Sequence, residues 1–116
     1  MEILEFRHDD VHILGPGGKL DALSAPELQA KLGQVIADGA TKVLLDAVAL
    51  EYMSSSGIRV LATVQKTLDE RGGRLVLCAL QAPVQKVLDL TGLTEQIEVF
   101  PSRSEALAAM CSPSEP

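Results

Sequence analysis

Apolar and polar positions recur with two different periods along this chain, and the switches between them mark out its elements. Residues 2–6 and 10–14 read as two short strands separated by the turn-like Asp9-Asp10, with Val11 and Ile13 sharing one face. The run Gly15-Pro16-Gly17-Gly18 is expected to break the second strand. Leu28, Leu32, Val35 and Ile36 then follow at helical spacing and predict an amphipathic helix from about 25 to 38. Ser24 stands as its N-cap, Glu27 completes a capping box, Pro26 lies in the first turn and Gly39 ends it. Val43-Leu44-Leu45 is a short continuous apolar run, as a central strand covered on both faces requires.

A loop is expected through residue 53. Gly57 then opens a second helical pattern with Ile58, Leu61, Val64, Gln65 and Leu68 along one side, closed by Arg71-Gly72-Gly73. Arg74 to Ala79 is the clearest strand. Pro83 begins a third helix, with Val84, Val87 and Leu88 inward and Gly92 beyond its end. Ile97 to Phe100 predicts a last strand, and Ser102 with Glu105 caps a final helix around Ala106 to Met110. Strands alternating with helices imply crossover connections and a largely parallel sheet. The first two strands have no helix between them and should form an antiparallel hairpin. The pattern therefore predicts an α/β fold: a mixed, largely parallel sheet of about five strands with about four helices.

The chain has 116 residues, 47% of them apolar. That suits one domain with one core, placed at residues 1–111, with a tail at 112–116 whose Ser-Pro-Ser-Glu-Pro composition suggests disorder. The net charge of −6 and the three aromatics argue against direct nucleic-acid binding, which needs a basic surface or a stacking platform. The start has no secretory pattern and no apolar run is long enough for a membrane helix, so a cytoplasmic location is expected. Cys78, inside an apolar run, reads as a buried small hydrophobe, and neither it nor Cys111 has metal-ligand spacing or an expected disulfide partner. His8 and His12 read as turn or solvated histidines, and no metal is expected. No nucleophile elbow, phosphate loop or paired acid and base is present.

The informative stretch is Tyr52-Met53-Ser54-Ser55-Ser56-Gly57-Ile58-Arg59, where three serines enter a helix directly after a buried strand. Helix capping is the simpler reading of the residues themselves, yet it occupies only one of the three hydroxyls. The other reading is a phosphorylation switch. A phosphate adds about −1.5 to −2 charges at pH 7, and a helix N-terminus tolerates that charge.

Three segments resemble the STAS domain of bacterial anti-sigma factor antagonists: Gly18-Lys19-Leu20-Asp21, Tyr52 to Ile58, and Gly73 to Ala79 continuing through Val84 and Val87-Leu88 to Thr91-Gly92-Leu93. The resemblance implies a partner switch. The unmodified protein binds an anti-sigma factor that is also a GHKL-type serine kinase, and a sigma factor is released. Phosphorylation of one serine ends the binding, and a serine phosphatase resets it. By position the acceptor is Ser55, with Ser56 and Ser54 as second choices. Ser56 is also a candidate to support the loop or cap the helix. Asp21 falls where the family has an acidic residue at the docking surface. Met53, Gly57, Ile58 and Arg59 flank the acceptor as candidate partner contacts, with buried packing the first reading for at least one of Met53 and Ile58 and a solvated surface position the first reading for Arg59. No cofactor is implied, because ATP would belong to the kinase. Ser54 replaces the Asp that the best-known members carry before the acceptor. Two alternatives differ in kind: a STAS signalling module with another partner or a nucleotide or anion ligand, and a small serine-dependent enzyme.

Overall fold

A computed structural model describes residues 1–111; the tail assigned to 112–116 lies outside them. In chain order the elements are β1 (Glu2–His8), β2 (Val11–Leu20), α1 (Ala25–Ala37), β3 (Lys42–Asp46), β4 (Leu50–Met53), α2 (Ser55–Glu70), β5 (Arg74–Cys78), α3 (Ala82–Thr91), β6 (Glu98–Phe100) and α4 (Arg103–Met110). A short 3-10 turn at Leu93–Glu95 follows α3. The sheet runs β1-β2-β3-β5-β6, with β4 paired to the far end of β2. β1 and β2 form the antiparallel hairpin, and the other pairings are parallel.

The period of two along the central strands sorts their side chains onto two cores. Leu14, Val43, Leu45, Leu75 and Leu77 pack with the inward faces of α1, α2 and α3. Val11, Ile13, Leu44, Val76 and Cys78 face Ala106 and Met110 of α4. This explains the unbroken apolar runs in β3 and β5, since strands covered on both faces need apolar residues at every position. At the top of β3, Asp46 is buried. Its carboxylate accepts the Val48 N–H at 3.1 Å and pairs with the Arg103 Nε at 2.8 Å, and Arg103 in turn lies over the Phe6 ring.

Three local expectations are corrected. Gly15-Pro16-Gly17-Gly18 does not break β2, which continues to Leu20. The tight turn makes His8 and Val11 a hydrogen-bonded pair, and alternation then makes Ile3 and Pro16 a non-bonded one. Pro16 therefore owes β1 no N–H. On its other side β3 has already left at Leu14 and β4 joins only at Gly18, so no ladder needs that donor. Residues 50–53 are not loop but the short strand β4, whose four residues are too few to show a period. Ser24 is not a side-chain cap for α1. Its hydroxyl donates to the Lys19 carbonyl at 2.7 Å and accepts the Asp21 N–H, while Glu27 pairs with the N-terminal amine. Ser102 does cap α4, accepting the Glu105 N–H at 3.2 Å.

Candidate functional site

The parallel strands deliver their C-terminal ends to one edge of the sheet, the edge on which α/β proteins assemble sites. There β2 and β4 finish side by side at Leu20 and Met53. The Ser54 N–H donates to the Leu20 carbonyl at 2.9 Å, which fixes the serine loop to the end of β2. Ser54 is extended, and its hydroxyl accepts the Ser56 N–H at 3.2 Å. The cap of α2 is therefore Ser54, and the helix starts at Ser55, two residues before Gly57, where its apolar pattern opens. Ser55 is exposed, and among the described residues no hydrogen bond or ion pair engages its hydroxyl. Ser56 is half-buried and lines a shallow groove of about 210 Å³ with Ala22, Pro26, Gln29, Arg59 and Thr63, between the starts of α1 and α2.

Gly57 explains how α2 comes so close to the sheet. A Cβ there would lie 2.7 Å from Leu20 Cδ2 and 2.8 Å from Met53 Cγ. Real Cβ atoms do not approach so near, so only hydrogen fits. Met53 is itself buried at 2% exposure. Met53 thus packs in the core, as expected of at least one of Met53 and Ile58; it and Gly57 offer no surface to a partner and form the floor under the serines. Ile58 is half-buried against the same core, and Arg59 is exposed at the groove.

Asp21 directly follows the residue that anchors Ser54. Its carboxylate accepts the N–H groups of Leu23 and Ser24 at 3.0 and 3.1 Å. The Ser24 N–H foremost, with Leu23 behind it, holds this carboxyl below its ordinary 3.8 against an opposing desolvation. The carboxylate is therefore charged at neutral pH, and it builds the turn between β2 and α1. Near the loop, Leu23 in the turn after β2 and Tyr52 on β4 expose 88% and 46% of their area, while Val48, ahead of the start of β4, exposes 62%. Sequence reading did not single out Leu23 and Val48. Their signal was faint: apolar residues in loops, outside either period. His8 and His12 lie at the opposite end of β2 from Leu20, so neither histidine adjoins the serines. No helix among the described residues is long and apolar enough to cross a membrane.

A two-cored, mostly parallel sheet with a serine-led helix at its C-terminal edge defines the class. The STAS domain model matches residues 5–106, and the chain belongs to that family. It is 37% identical over 92 residues to BtrV of Bordetella bronchiseptica, described as a candidate anti-sigma factor antagonist, covering 79% of each chain. It is 26% identical over 103 residues to the anti-sigma-F factor antagonist RsfB of Mycobacterium tuberculosis, covering 89% of this chain and 84% of RsfB. The crystal structure of an anti-sigma factor antagonist from Mycobacterium paratuberculosis superposes with a TM-score of 0.88 at 28% identity, covering 96% of this chain and 94% of the other.

Proposed function

We propose that this chain is an anti-sigma factor antagonist without catalysis of its own, switched by phosphorylation of Ser55. The unmodified form binds an anti-sigma factor that is also a GHKL-type serine kinase and so frees a sigma factor in the cytoplasm; a serine phosphatase restores it. The relatives' names support the antagonist role. One observation carries the switch: Ser54 takes the capping bond, leaving the Ser55 hydroxyl exposed on the first residue of α2.

A phosphate on Ser55 would meet the positive end of a 16-residue helix, so the fold tolerates it. A partner seated over the loop and the exposed Leu23 and Tyr52 beside it would have to desolvate the new charge or oppose it. Ordinary interface cores favour aromatic and apolar contacts over charge, which suits the unmodified surface and not the phosphorylated one. Asp21, Ile58 and Arg59 lie in or beside the same contact zone, with Arg59 able to reach an acidic partner side chain. A serine enzyme is disfavoured by the histidines' distance along β2.

The test is incubation with the cognate kinase and ATP, followed by peptide mass spectrometry. A single phosphate on Ser55, absent from Ser55→Ala, is expected. A phosphate on Ser54 or Ser56 would refute the assignment, and Ser54 in particular would first have to give up its cap.

A further inference from the structure

At the end of the molecule remote from the serines, the hairpin turn meets the last turn of α4. We propose that His8, Asp9 and Cys111 form a surface site for a zinc-like divalent cation. One nitrogen of His8, a carboxylate oxygen of Asp9 and the Cys111 sulfur all lie within 4.8 Å of one another. The His8 Nε2 and Asp9 Oδ2 atoms are 3.9 Å apart. A tetrahedral zinc ion holds nitrogen and oxygen ligands at about 2.0–2.2 Å and sulfur at about 2.3 Å, so side-chain rotation within this triangle suffices to close it. The donor set of one imidazole, one carboxylate and one thiolate suits zinc better than magnesium or calcium, which prefer oxygen alone. Water would fill the fourth position.

The two backbone segments that carry the ligands are already pinned together. Lys42 Nζ pairs with Asp10 Oδ2 at 3.1 Å and donates to the Met110 carbonyl at 3.1 Å. Asp10 is the neighbour of Asp9, and Met110 the neighbour of Cys111. One lysine therefore holds the turn and the helix end in register before any cation arrives, which lowers the ordering cost of binding. Asp9 has left-handed backbone, φ 54°. That is a conformation Asp tolerates better than most residues. Binding forms one bond from the metal to each of N, O and S, strips waters from the hydrated ion and passes the thiol proton to solvent. No oxidant or reductant is needed.

The test is titration of the tag-free protein with Co²⁺, followed by the thiolate-to-cobalt charge-transfer band in the near ultraviolet. The expected result is a band that saturates at one Co²⁺ per chain, survives Cys78→Ala, is lost in Cys111→Ser and is displaced by Zn²⁺. His8→Ala and Asp9→Asn, exposed at the end of β1 and on the turn after it, should each weaken Co²⁺ binding by at least about tenfold. No band, a band that persists in Cys111→Ser, or an affinity unmoved by His8→Ala and Asp9→Asn would overturn the site.

Discussion

Single residues decide how tightly this fold closes around its serine loop. Gly57 is the sharpest case, because a methyl there would press on Leu20 and Met53 at 2.7 to 2.8 Å. Both neighbours are buried and cannot swing into solvent. Overpacking of this kind costs about 1–3 kcal/mol, so Gly57→Ala should lower the midpoint of denaturant unfolding accordingly. An unchanged midpoint would mean that α2 can lift from the sheet freely. Cys78 is a second case. Burial foremost, and then the charge of Asp46, pushes its thiol up to about 12. In the unfolded chain a thiol ionises near about 8.5. The neutral, folded thiol therefore adds stability that is complete below that pH and is lost as pH rises toward the folded value. The stability advantage of wild type over Cys78→Ala should shrink between pH 7 and pH 10, measured by denaturant unfolding at both. A constant gap would show a thiol that ionises as readily in the fold as out of it.

At the scale of elements, the serine-led helix shows which parts of a sequence speak for themselves. Leu61, Val64 and Leu68 reveal α2 by their spacing, and all three are buried. The true start was less legible, since Ser54, Ser55 and Ser56 are chemically alike and only the backbone turn at Ser54 tells the cap from its neighbours. Ser54→Ala should therefore cost about 1 kcal/mol of stability, while Ser55→Ala, with no capping bond to lose, should cost much less. Equal losses in thermal or denaturant unfolding would mean that the two hydroxyls share the cap. β2 and β4 were hidden for a different reason. The local signals at Gly15 to Gly18 favour a break, and strand continuity there depends on which neighbours sit opposite, β1 as far as Gly17 and β4 from Gly18 on. Ser24 misled likewise: its position before a helix reads as a cap, but the turn built by Asp21 claims its hydroxyl.

At the scale of the whole molecule, the two-sided central sheet was readable because β3 and β5 are apolar at successive positions. The family was readable because three separated segments kept their order. The apolar surface around the loop was not, since exposure of Leu23 and Tyr52 is a property of the assembled edge and not of any local pattern. Charge settles how the proposed switch must work. The chain already carries −6, and a phosphate adds about −1.5 to −2. The molecule is 42 Å long, whereas charges in physiological salt are screened within about 8 Å. The phosphate must therefore act by local contact at the edge formed by Asp21, Tyr52 and Ser55, not through the field of the whole protein. The most direct test is the affinity of the cognate anti-sigma factor for the chain phosphorylated on Ser55 and for the unmodified chain, measured side by side by calorimetry. Phosphorylation should weaken binding at least about tenfold, a loss of about 1.4 kcal/mol, at both low and physiological salt. Equal affinities for the two forms would contradict the switch.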